Sequence, residues 1–114
     1  MPERRQSERV KAGLYAIWDL TRESVSSGKV VHLSQTGCFV ESRVHLNPDH
    51  PINIMLRIPT ERWLSIPAKV THVDGGEGFG VRFSSLHDLD RRMLDLLVEY
   101  YRSELLSAPA SERN

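Results

Sequence analysis

Ile52-Asn53-Ile54-Met55-Leu56-Arg57-Ile58 alternates Ile or Leu with Asn, Met and Arg over seven residues without a break. A period of two sustained this long belongs to a strand with one face in a core and the other outside. Leu64, Ile66, Ala68 and Val70 repeat the pattern against Ser65, Pro67, Lys69 and Thr71. Pro67 has no N–H, so this second strand is expected at an edge or with a local bulge. Asp74-Gly75-Gly76-Glu77-Gly78 then closes a hairpin into Phe79-Gly80-Val81-Arg82-Phe83, with Phe79, Val81 and Phe83 on one side and Arg82 on the other.

Upstream, Asn47-Pro48-Asp49-His50-Pro51 reads as a loop, because two prolines leave no room for a regular element. Cys38 to Glu41 forms a short strand behind the turn Gln35-Thr36-Gly37, in which Gly37 is expected to take a positive φ. Lys29 to Leu33 pairs with it antiparallel across that turn. Ser24, Ser26, Ser27 and Gly28 mark an earlier turn. Before it, Leu14, Ala16 and Trp18 alternate with Tyr15 and Ile17, giving the first strand.

Downstream of Phe83 the period lengthens. Leu89, Met93, Leu96, Leu97 and Tyr100 fall on one helical stripe that Leu105 extends, with Arg91, Arg92, Asp95 and Glu99 mostly off it. Ser84 or Ser85 is positioned to cap this helix, and Asp88 and Asp90 oppose the positive end of its dipole. Six short strands and one amphipathic helix predict a mainly β fold: a six-stranded antiparallel barrel with a C-terminal α-helix, since closure removes exposed edges. The expected division is a flexible basic arm at 1–11, the barrel with its helix at 12–106, and a disordered tail at 107–114.

The chain has 114 residues, with 15 Lys+Arg against 15 Asp+Glu, which suits one domain and supplies no bulk drive toward DNA or an anionic membrane. No apolar run is long enough to span a bilayer, and the N-terminus lacks the apolar stretch of a signal peptide. A cytoplasmic protein without membrane insertion is expected. The lone Cys38 fits a reducing compartment and reads as a small buried hydrophobe.

Catalytic chemistry is not visible. No phosphate-binding glycine loop, nucleophile elbow or helical His-Glu-x-x-His is present. His45 and His50 flank a loop with Asp49, but their spacing fits no standard metal site. The protein is therefore expected to be no enzyme, with no catalytic residue, no metal and no cofactor.

What remains is a set of arginines and a turn. Arg4, Arg5 and Arg9 stand just before the first strand, and a guanidinium fork suits a phosphate or the O6/N7 edge of guanine. His32-Leu33-Ser34-Gln35-Thr36-Gly37 offers an imidazole, a hydroxyl and a glycine that lets a flat ligand approach the backbone. An Arg-x-x-x-Arg arm followed by Asp/Asn-x-Ser-x-x-Gly on such a barrel resembles the PilZ domain, a bacterial receptor for cyclic di-GMP. The matching stretches here are Arg5-Gln6-Ser7-Glu8-Arg9 and His32-Leu33-Ser34-Gln35-Thr36-Gly37, and Gly80-Val81-Arg82-Phe83 with the helix behind it is similar to the family's ending. The resemblance runs from Arg5 to about Tyr101.

That resemblance implies a single-domain receptor that binds cyclic di-GMP and relays it to a protein partner, not to DNA. Arg5 and Arg9 would hold phosphates and guanine edges, Ser34 and Gly37 would frame the other side of the purine, and Arg4 would favour a pair of intercalated ligand molecules. His32 stands where the family has Asp or Asn. A neutral imidazole has one acceptor nitrogen, and losing a charge-assisted hydrogen bond costs roughly 1.5 to 3 kcal/mol. The alternative is accordingly a PilZ-like adaptor that does not bind the nucleotide and works through protein contacts, for which Trp63, Tyr101 and Met55 are the candidate surface. A barrel for single-stranded nucleic acid is a weaker third reading, because surface aromatics are not interleaved with Lys and Arg.

Overall fold

The computed structural model describes residues 9–107, apart from residues 22 and 75 and the side chains of residues 20, 21 and 104–107. Six strands are followed by one helix: β1 (Val10–Thr21), β2 (Ser24–Leu33), β3 (Gly37–Glu41), β4 (Pro51–Arg57), β5 (Trp63–Asp74), β6 (Gly78–Phe83) and α1 (Asp88–Ser107). All neighbours are antiparallel, and the sheet closes in the order β1-β2-β3-β6-β5-β4. The predicted barrel with its C-terminal helix is the fold observed.

Alternation builds the interior. Leu14, Ala16 and Trp18 from β1, Ile52, Ile54 and Leu56 from β4, and Leu64, Ile66, Ala68 and Val70 from β5 are all buried in one core with Phe79, Val81 and Phe83 from β6. Trp18 and Phe79 meet edge to face at its centre, with ring centroids 5.1 Å apart. Such a pair adds to the area that both rings bury.

Pro67 has a simple place in this closed sheet. Its partner on the β4 side is Asn53, whereas on the β6 side pairing ends at Ala68 opposite Phe83. The Pro67 carbonyl accepts from Ser84 N at 2.8 Å, so the ring nitrogen lies on the side where β6 has run out. A position opposite Ser84, just past the end of β6, tolerates the missing N–H as an edge would, while its carbonyl is still satisfied.

The first hairpin differs from expectation. Ser24, Ser26, Ser27 and Gly28 lie within β2, paired with Thr21, Trp18, Ile17 and Ala16 respectively. Their turn-like composition is carried on a long two-stranded ribbon, in which the Trp18 ring of β1 lies against Gly28, where a Cβ would meet it at 3.0 Å.

The helix also docks on another phase. Leu94, Leu97 and Val98 are buried and Met93 and Tyr101 partly so, whereas Leu89, Leu96 and Tyr100 are 70%, 64% and 45% exposed. The buried stripe faces the barrel, where α1 lies against β1. The first helical bond runs from Arg91 N to the His87 carbonyl at 2.9 Å, so His87 takes the cap position expected of Ser84 or Ser85.

Candidate functional site

A surface depression of about 570 Å3 opens on the outer wall over β2, β3, β6 and β5. Arg9, His32, Ser34 and Gly37 all line it. Arg4 and Arg5 lie outside the described residues. Arg9 immediately precedes β1 and is exposed.

His32 reaches this wall through a break in strand parity. Val30 pairs with Val40 and His32 with Phe39, so Val31 is an extra residue on β2. A bulge of this kind shifts every later side chain to the opposite face. Val30 and Leu33 both point inward, and His32, between them, faces out and is half-buried. Its neighbour on β1 is Lys11.

The same device recurs on β5. Val70 pairs with Val81 and His72 with Gly80, which makes Thr71 the extra residue. His72 thereby leaves the inward phase set by Leu64, Ile66, Ala68 and Val70 and lies exposed on the wall. Its Nδ1 is 3.3 Å from Thr71 Oγ1, within hydrogen-bond reach. The histidines on β2 and β5 thus line one depression, with β3 and β6 between them.

Ser34 and Gly37 make the rim. Ser34 Oγ accepts from the backbone N–H of Thr36 and of Gly37, each at 3.2 Å, and Ser34 N donates to the Gly37 carbonyl at 2.9 Å. The hydroxyl is almost fully buried and is occupied by the turn, so its contribution to the depression is the shape of the hairpin. Gly37 does not take the expected positive φ. It is required for another reason: a Cβ there would fall inside the contact radius of the Val81 carbonyl oxygen on β6. The turn can sit flush on the wall only without a side chain.

Sequence reading missed Phe39, His72 and Arg82, which line the same depression. The available signal was a histidine in phase with an apolar run, followed by an apolar residue out of phase: His32 before Leu33, and His72 before Val73. Among the described residues the lining carries Arg9, Arg82, His32 and His72 and no Asp or Glu. Such a wall favours an anion. No group of three or more candidate metal ligands is found among the described residues, and no described helix is long and apolar enough to cross a membrane.

The chain matches solved structures of the same architecture: the Bacillus subtilis inhibitor of motility MotI/DgrA (19% identity, TM-score 0.74, 93% of this chain and 54% of that one). The PilZ domain of YcgR from Escherichia coli, solved with c-di-GMP, matches at 16% identity and TM-score 0.74, over 90% of this chain and 94% of that one. The PilZ domain of CeSA from a cellulose-synthesizing bacterium matches at 18% identity and TM-score 0.66, over 84% and 99%. The chain therefore spans about half the length of the Bacillus protein and nearly all of the two isolated domains. No curated protein matches it. At these identities the structures establish the fold, and the family model for the PilZ domain, matching residues 3–100, establishes the kinship: this chain belongs to the PilZ domain family.

Proposed function

We propose that this domain is a cytoplasmic receptor for cyclic di-GMP that performs no catalysis and relays ligand binding to a protein partner. One observation carries the reading. Arg9, His32, Ser34 and Gly37, drawn from the chain before β1, from β2, from the β2–β3 turn and from the start of β3, line one depression of about 570 Å3 with no Asp or Glu among its described lining residues. That volume lies within the usual range of small-ligand sites, roughly 300 to 1,000 Å3. Arg5 would complete the clamp with Arg9, and Arg4 would recruit a second ligand molecule.

Calorimetric titration with cyclic di-GMP, beside linear RNA, tests this reading. Saturable binding of the cyclic dinucleotide alone is expected, with a ratio of two ligands per chain that falls toward one in Arg4→Ala. Failure to bind at all removes the receptor reading.

The adaptor reading has its own support. Leu89, Leu96 and Tyr100 are exposed on α1, and Tyr15 and Trp63 form an exposed edge-to-face pair on the wall, centroids 6.1 Å apart. Met55 and Tyr101 are partly buried, so this alternative rests on the other residues.

A further inference from the structure

The outward face of β6 reads Gly78, Gly80, Arg82, while Phe79, Val81 and Phe83 point into the core. Both glycines are buried although they face outward, because aromatic rings lie on them. A Cβ on Gly78 would meet the Phe39 ring at 2.9 Å, and one on Gly80 would meet His72 Nδ1 at 2.8 Å. Phe39 comes from β3 and His72 from β5, on either side of β6. With no side chain between them, the rings approach across that strand and stack, centroids 5.9 Å apart and planes 26° from parallel.

The pair forms part of the depression's lining. His72 is exposed and Phe39 only half-buried, so aromatic surface remains accessible beside Arg9 and Arg82. A near-flat aromatic surface flanked by guanidinium groups, with no carboxylate among the described lining, suits a ligand that is planar at one end and anionic at the other. We infer that the Phe39–His72 pair, with Phe39 lying over Gly78 and His72 over Gly80, is the stacking seat for a guanine base, with Arg82 beside it for the attached phosphate. This rests on the receptor reading for the identity of the base. The seat itself rests on ring geometry, and the residues involved lie outside the two motifs.

Two measurements on the full chain separate the seat from that reading. The first is calorimetry with cyclic di-GMP on Phe39→Leu and His72→Gln, which keep bulk but lose an aromatic face. Each should weaken binding by about five- to a hundred-fold, the usual worth of one base stack. Circular dichroism and thermal melting confirm that the variants fold. Variants that bind as tightly as the wild type overturn the seat and leave the Arg9 and His32 reading standing.

The second measurement is an NMR titration of the wild type with 5′-GMP, using ribose 5-phosphate as the base-free control. Upfield ring-current shifts of the Phe39 and His72 ring protons with 5′-GMP alone support the seat, even if cyclic di-GMP does not bind and the receptor reading falls. Identical shifts with both compounds, or none with either, overturn it.

Discussion

Arg9 reaches the depression from just outside the hydrogen-bonded frame of the barrel, so its guanidinium can be removed without disturbing the core. In the receptor reading Arg9→Ala abolishes or strongly weakens cyclic di-GMP binding and leaves circular dichroism unchanged; an unaltered titration would remove Arg9 from the site. His32 makes the opposite prediction. An aspartate there offers two acceptor oxygens, and Lys11 across the strand pair favours a negative charge at this position. His32→Asp should raise affinity by about one to two decades, the worth of one charge-assisted hydrogen bond, and calorimetry reads this directly. No gain would mean that this position does not touch guanine. Cys38 tests burial. Desolvation pushes its thiol from 9.0 up to about 12, so at pH 8 the folded chain holds about a thousand-fold fewer thiolates than the unfolded chain. Alkylation by iodoacetamide should be slow in the folded protein and fast in denaturant. Because the folded value is the higher one, the unfolded thiol ionises first, and the stability held by the neutral thiol is lost as pH rises from about 9 to 12. A thiol alkylated at the unfolded rate at pH 8 would contradict this burial.

Elements are where periodicity is strongest and phase is weakest. The alternations in β4, β5 and β6 were legible because each counts residues two apart, and burial follows them from Ile52 to Ile58 and from Leu64 to Val70. The bulges at Val31 and Thr71 are harder to read, because a single inserted residue leaves no mark on composition and shows only as a change of phase, at Leu33 and at Val73. Half of the candidate site depends on those bulges, which is why His32 was found through a motif and His72 was missed. The helix has a related ambiguity. Its sequence carries two overlapping stripes that share Leu97, the expected Leu89, Met93, Leu96, Leu97 and Tyr100 beside Leu94, Leu97, Val98 and Tyr101, and both satisfy helical spacing. Only the barrel surface decides between them, and it takes the second. Leu94→Ala should therefore cost about 2 to 5 kcal/mol, whereas Leu96→Ala should lie within about 0.5 kcal/mol of the wild type. Chemical denaturation of the two variants decides the matter; a large loss in Leu96→Ala with little change in Leu94→Ala would mean that the helix is seated on the other stripe.

At the scale of the whole molecule, a closed barrel is limited by its narrowest seam. β3 and β6 pair over Gly37 to Glu41, but among the described residues β1 and β4 pair only at Ala16, Ile17 and Trp18 opposite Leu56, Met55 and Ile54. The helix lies against β1, so it braces the strand that closes the barrel through its shortest contact. Leu94, Leu97 and Val98 are each buried to within a few per cent. At about 1.5 to 3 kcal/mol per buried side chain, their removal takes away roughly 5 to 9 kcal/mol, which is most of what a domain of this size holds in total. Ending the chain before Asp88 should therefore lower Tm sharply rather than free an independent appendage. Local opening should follow the same order. In the full chain carrying Leu97→Ala, amide exchange should accelerate first at Ala16, Ile17 and Trp18 and least across the β3–β6 pairs, because weakening the brace loosens the seam it spans. A truncated barrel that melts with the full chain, or exchange that rises evenly around all six strands, would make α1 a passenger and leave its buried stripe without a structural purpose.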